Sequence, residues 1–351
     1  MTATSIHNLY PYIELFYQAV DLSDRQDAGL NNLSRALHSR LGRYGLYYEL
    51  KQDPRGLEID LSCEIPGELD TFCAALPGLD IPQSWSEMVQ DLLSPKSASC
   101  SSKPGVSLMG LEFDTHCPYP LRPSIFFSSP KEENSNTQWL QAIMDQARKA
   151  GFCFTGIQEC IDDFLNALHS PDRIVHAGFM LPRGNQGAMK CIMSGITAQQ
   201  LSLLAETLKF SLSEHLYNVW SNMVNEGNHM HLALDFIPDR PVKPAWEIFT
   251  ASNQNSQEDR WESLLQNLPD YGDKGLGRTR AQTCVQSWIA YDPWPVELKN
   301  EMLSNADVVN SLMVTKLDHI KLFDDPEGQL QYKCYYYQCP VFQTKSRKLV
   351  R

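Results

Sequence analysis

In LDHIKLFDDPEGQLQYKCYYYQC, Leu317 to Cys339, two runs of apolar and aromatic residues flank the turn-forming sequence DDPEG. That is the pattern of an antiparallel hairpin, because Asp, Pro and Gly satisfy a tight turn while aromatic residues fit a pleated surface. Toward the N-terminus the same pairing recurs four times: RYGLYYELK with GLEIDLSCEI from Arg43, GVSLMGLEFD with RPSIFF from Gly105, RIVHAGFML with AMKCIMSG from Arg173, and HMHLALDF with KPAWEIFT from His229. With the last pair counted from Val314, the starts lie 62, 68, 56 and 85 residues apart.

Helical spacing follows each of the first four pairs. Trp139, Leu140, Ile143, Met144 and Ala147 fall three and four apart, as do Leu201, Leu204, Ala205 and Leu208, so each set covers one helix face. The repeated unit is therefore two strands and then helix. Two units also share local sequence: LEFDTHCPYPLRPSIFF and LALDFIPDRPVKPAWEIF both run apolar strand, Asp, a Pro-containing connection, a basic residue with Pro, and a strand ending in Phe. Five ββα units predict an α+β fold, a closed antiparallel ten-stranded β-barrel surrounded by helices. Residues 1–351 are expected to form one domain, with an N-terminal helical segment over about residues 1–41. The interval Thr283 to Asn310, which carries Trp288 and Trp294 beside Pro293 and Pro295, departs from the repeat as an extra helix pair or an interruption.

Composition narrows the function classes. A net charge of −12 and a pI near 5.2 oppose nonspecific nucleic-acid binding, which needs a basic footprint. There is no run of eighteen apolar residues, and MTATSIHNLYPYIELFYQAV lacks the basic, apolar and small-residue regions of a secretion signal, so a cytoplasmic protein without a membrane anchor is expected. In that setting the ten cysteines read as thiols, and the absence of any CxxC pair makes structural zinc improbable. Segments 93–105, 128–136, 251–258 and 271–280 read as exposed loops, of the kind that shape a barrel mouth.

Short motifs add little. Gly275 and Gly277 give GxG without the rest of a phosphate-binding fingerprint, and GxSxG and HExxH do not occur. In HMHLALD, His229, His231 and Asp235 share a strand face, an arrangement that could hold a divalent ion if another strand supplied a ligand, although solvated histidines at a strand start are the simpler reading.

Polar residues inside the strands say more. With a period of two, Arg122, Ser124 and Phe126 share a face, as do Lys190, Ile192 and Ser194, Lys243, Ala245 and Glu247, His319, Lys321 and Phe323, and Gln331, Lys333, Tyr335 and Tyr337. On an open sheet these cations would face solvent. On the inner wall of a barrel they would converge, and a pocket of cations and phenols binds a diphosphate through charge-assisted hydrogen bonds.

The five strand pairs, the helices between them and the terminal hairpin resemble the αββα-barrel (ABBA) prenyltransferases. The similarity is architectural and runs from about Arg43 to Cys339. It implies transfer of an allylic isoprenoid from its diphosphate to an aromatic small molecule or a peptide side chain. It also implies Arg122, Lys190, Lys243, Lys321 and Lys333 as diphosphate ligands assisted by Tyr335 or Tyr337, and Glu112 or Glu49 as base. The isoprenoid diphosphate would be co-substrate, with magnesium undecided because no DDxxD occurs and Asp324 and Asp325 read as turn-formers. Other classes compatible with the residues are a barrel that binds a peptide or hydrophobic ligand without catalysis, and a metal-dependent peptide-modifying enzyme built on His229, His231 and Asp235. Neither a membrane nor nucleic acid is an expected partner, and the oligomeric state is not legible.

Overall fold

In a computed structural model of the chain, the described residues are 10–20, 28–37, 45–53, 56–65, 79–93, 106, 108–114, 122–130, 136–168, 173–181, 187–225, 229–249, 261, 286–290, 308–344 and 349–350. In chain order the elements are α1 (Tyr10–Ala19), α2 (Ala28–Ala36), β1 (Leu46–Asp53), β2 (Gly56–Ile65), α3 (Gln83–Leu93), β3 (Leu108–Phe113), β4 (Ser124–Ser128), α4 (Asn136–Lys149), α5 (Gln158–Ala167), β5 (Arg173–Met180), β6 (Ala188–Ser194), α6 (Ala198–Leu208), α7 (Glu214–Asn225), β7 (His229–Phe236), β8 (Lys243–Phe249), β9 (Gln286–Ala290), β10 (Val308–Asp324), β11 (Leu330–Thr344) and β12 (Leu349–Val350).

Ten of these strands form a closed antiparallel ring in the order β1-β2-β3-β4-β5-β6-β7-β8-β10-β11, with β11 returning to β1. Closure removes the sheet edges that would otherwise expose unpaired backbone groups. The hairpin read first from the sequence is β10–β11, and it extends beyond the barrel: β9 and β12 pair with the outer portions of β10 and β11. The irregular interval before the last pair thus contributes an extra strand, β9, within its described part. The helix expected after the fourth pair falls outside the described residues apart from Trp261.

Side-chain alternation divides the ring into two faces. Tyr48, Leu61, Leu111, Phe127, Phe179, Cys191, Leu234, Trp246, Leu322 and Tyr336 share one continuous apolar core with the helices. Into that layer go the faces foreseen from spacing, Trp139, Leu140, Ile143, Met144 and Ala147 of α4 and Leu201, Leu204 and Leu208 of α6. The Phe16 ring of α1 stacks on Tyr48 with centroids 3.7 Å apart, while the Tyr48 hydroxyl donates to Gln338 Oε1 at 2.8 Å. Cys63, Cys191 and Cys334 lie in the same layer as free thiols, and burial raises the pKa of each. The main hydrophobic core therefore lies outside the barrel, between strands and helices. Among the described residues, two small apolar clusters stand apart from that core: Ile192, Ala233 and Ala245 with Phe323, and Val314, Cys339 and Val341 with Tyr337.

Asp324 and Asp325 stand where the hairpin turns. Asp325 Oδ1 accepts the backbone N–H groups of Glu327 and Gln329, both at 2.9 Å. Asp324 receives the backbone N–H and hydroxyl of Ser213, fixing the start of α7 against β10. Among the described residues no helix is long and apolar enough to cross a membrane.

Candidate functional site in the barrel lumen

Two neighbouring rungs of the ladder carry the polar interior. One runs His229, Phe249, His319, Tyr335, Glu49 across β7, β8, β10, β11 and β1. The next runs His231, Glu247, Lys321, Lys333, Lys51. Phe126, Lys190, Ile192, Glu247, His319 and Tyr335 line one cavity, with Tyr47, Ser62, Glu64, Glu112, Ser128, His176, Phe249 and Asp318. That cavity measures about 810 Å³ including its opening to solvent.

Three of the five cations named from the sequence meet in this interior, each facing one carboxylate. Lys333 Nζ donates to Glu49 Oε1, and the Tyr335 hydroxyl donates to Glu49 Oε2. Lys190 and Lys321 are held more loosely, with Nζ 3.8 Å from Glu112 Oε2 and 3.7 Å from Glu247 Oε1 respectively. Both ammoniums are buried, and neither makes a hydrogen bond among the described residues. Lys190 lies 5.3 Å from the centroid of the Phe126 ring, a cation–π distance. That ring lies over Gly178, where an added Cβ would come within 2.2 Å of it.

These groups set one another's ionisation. Burial works against the Glu49 carboxylate, but Lys333 and the Tyr335 hydroxyl overcome it and hold its pKa at about 2. Burial likewise opposes the Lys190 ammonium, and the carboxylates around it, Glu112 foremost, raise its pKa nonetheless. At Lys321 burial and the neighbouring Lys190 charge prevail and lower it. Burial lowers the pKa of His231 to about 4 and also lowers that of His176, so both imidazoles are neutral near pH 7.

The other named residues are placed differently. Arg122 precedes β4 and donates from Nη2 to Asp80 Oδ2 at 2.8 Å, away from the lumen cavity. Its position beyond the end of the strand releases it from the face it would share with Ser124. Lys243 begins β8 and is exposed at one end of the barrel. Tyr337 packs against Tyr47, with ring centroids 4.9 Å apart, and under Lys316. Both oxygens of Glu49 are engaged, one by Lys333 and the other by Tyr335. Glu112 opens on the cavity opposite Lys190. His229 and His231 are 5.8 Å apart between ring centroids, but Asp235 lies four residues further along the strand, roughly 13 Å from His231 at a strand rise of about 3.3 Å per residue. Among the described residues no group of three could hold a metal ion.

Glu64, Asp318 and His176 were not singled out by the sequence reading. Register shifts between Ile174 and His176 and between Leu317 and His319 break strict alternation. Because of the second, the adjacent residues Asp318 and His319 both reach the cavity, where the His319 ring stacks on Tyr335 at 4.1 Å.

The architecture is that of the αββα-barrel prenyltransferases. AnaPT from Neosartorya fischeri is similar over 94% of this chain and 92% of its own length, with a TM-score of 0.54 at 10% identity. A 6-dimethylallyltryptophan synthase from Micromonospora olivasterospora, determined in complex with DMASPP and Trp, is similar over 95% and 97% of the two chains, with a TM-score of 0.54 at 12% identity. No protein family profile matches the sequence, and no curated protein is significantly similar to it.

Proposed function

We propose that this protein transfers an allylic isoprenoid group from its diphosphate to an aromatic or peptide side-chain acceptor inside the barrel. Lys190 and Lys321 carry the proposal: two buried ammoniums facing the lumen, each near a carboxylate but beyond hydrogen-bonding distance of it. Their N–H groups are available to a diphosphate, whose oxygens would supply the short charge-assisted bonds the protein leaves unmade. The neighbour of similar architecture determined with DMASPP and Trp supports the same class of donor and acceptor.

In this reaction the bond between the allylic carbon and the bridging oxygen breaks, and its electron pair leaves with pyrophosphate. Lys190 and Lys321, with Lys333 behind them, stabilise that developing charge in a site of low dielectric. Phe126, Phe249 and Tyr335 line the same space, and each ring face would attract the allylic cation by about 0.5–2 kcal/mol. The acceptor's electron pair then forms the new bond to carbon. The lysines themselves supply positive charge at the leaving group.

The test is calorimetric titration with dimethylallyl and geranyl thiolo-diphosphates, unreactive donor mimics, with and without magnesium, followed by mass spectrometry of reactions containing the corresponding diphosphates and aromatic acceptors. Saturable one-site binding that K190M and K321M weaken supports the proposal. Absence of binding under every condition overturns it, and binding without product in any acceptor mixture favours a barrel that holds a ligand without transferring it.

A further inference from the structure

Transfer to an aromatic or heteroatom acceptor leaves a proton to be removed, and neither carboxylate expected from the sequence is well placed to take it. Glu49 is committed to Lys333 and Tyr335. Glu112 faces Lys190 at 3.8 Å and so belongs with the diphosphate end of the cavity. Another group on the cavity wall has the geometry of a base. His176 on β5 pairs in register with Ser128 on β4, and Ser128 Oγ lies 2.7 Å from His176 Nδ1. His176 makes no other hydrogen bond among the described residues, and both residues line the cavity. One ring nitrogen is thus fixed by a hydroxyl, on the wall of the space where the acceptor must lie. A base held by an orienting partner is arranged in this way.

Resting on the transferase reading above, we propose that His176 is the catalytic base, taking the acceptor's proton on Nε2 while Nδ1–H donates to the Ser128 hydroxyl. As the acceptor's electron pair closes on the allylic carbon, the acceptor C–H, N–H or O–H pair returns to the acceptor and the proton passes to Nε2. Pyrophosphate carries away the electrons of the broken C–O bond. The resulting imidazolium releases its proton to solvent through the mouth of the cavity. Burial keeps the imidazole neutral before the reaction, and the Glu247 carboxylate on β8 favours the imidazolium once formed. The other groups around the ring are Ser128 from β4, Ile192 from β6, His231 from β7 and His319 from β10. Burial and His319 both oppose the charged form.

The experiment uses the full chain. Nitrogen-15 spectra of histidine-labelled protein, assigned with H176Q, report which ring nitrogen of His176 carries the proton. Thiolo-diphosphate titration reports donor binding, and transfer from dimethylallyl diphosphate to L-tryptophan, L-tyrosine and a cyclic tryptophan dipeptide is measured against pH. The expected results are protonation at Nδ1, donor binding by H176Q equal to that of the parent, and transfer reduced about 10²–10⁴-fold with loss of the acidic limb of the pH profile. Should H176Q fail to fold, S128A retains the imidazole, and its expected signature is a mixture of tautomers with partial loss of transfer. A proton on Nε2, or transfer by H176Q at the parental rate and pH dependence, overturns the role of His176 while leaving the donor site intact. Absence of donor binding by the parent overturns the transferase reading and this proposal with it.

Discussion

Glu49 on β1 accepts a hydrogen bond from Lys333 on β11, 284 residues later in the chain. The two strands are the first and last of the closed ring, so an ion pair with a buried carboxylate and a half-buried ammonium sits across the seam where the barrel shuts. Both partners lose solvent in forming it, and the Tyr335 hydroxyl completes the carboxylate's coordination. Removing one member strands the other in a medium that penalises lone charge.

E49Q is therefore expected to lose about 3–5 kcal/mol of stability near neutral pH, read by denaturant unfolding. The sign of its pH dependence follows from the carboxyl's lowered folded-state pKa, about 2 against 4.5. The native state holds fewer protons than the unfolded chain in that window, so the contribution is complete above about 4.5 and disappears as pH falls to about 2. E49Q should flatten that part of the stability curve, and an unchanged acid slope would remove Glu49 as its source.

At the donor site, K190M and K321M are each expected to weaken thiolo-diphosphate binding by roughly 10–100-fold, corresponding to loss of a hydrogen bond to a charged group worth about 1.5–3 kcal/mol. K243A, altering an exposed residue at the barrel end, should have a far smaller effect. Equal losses in K243A and K190M would place the diphosphate at the wrong level of the barrel.

Gly178 lies beneath the Phe126 ring, and a methyl group there would meet it at 2.2 Å. G178A should displace the ring that flanks Lys190, costing about 1–3 kcal/mol of stability as overpacking does, and should reduce donor affinity as well. Differential scanning calorimetry and donor titration read the two effects separately.

His231 supplies a second acid sensitivity. Its pKa falls from 6.5 to about 4 on burial, and its Nδ1 is buried without a hydrogen-bond partner in the described structure. Between those values the unfolded chain takes a proton that the native state refuses, so stability drops as pH falls from about 6.5 toward 4, by about 2 kcal/mol at pH 5. Replacement by Asn should remove that drop, as measured by urea midpoints at pH 7 and pH 5.

Much of the architecture was legible because strands and helices have different periods. Alternation put Ala245 with Glu247, His319 with Lys321, and Lys333 with Tyr335 on shared strand faces, without deciding which face turns inward, and three-four spacing placed Trp139 and Ile143 on the buried side of α4. Arg122 followed the same count and was misassigned, since it stands outside β4 and pairs with Asp80. The count also concealed His176, because the register shifts between it and Ile174. Tyr47 and Glu64 obey the alternation and could have been found by extending the Glu49 and Ser62 faces by one step.

The sequence by itself determined five strand pairs, the helical faces between them and the sorting of apolar from polar positions, all of which depend on residues a few positions apart. Tertiary structure alone decided that the last hairpin closes on the first strand, that Glu49 meets Lys333, and that Lys190 finds Glu112 across the lumen. Those contacts join residues far apart in the chain, and their distances depend on register, bulges and the tilt of a closed ring. They also decide which cations are already satisfied and which remain open to a ligand, because ionisation in a buried site is set by neighbours in space.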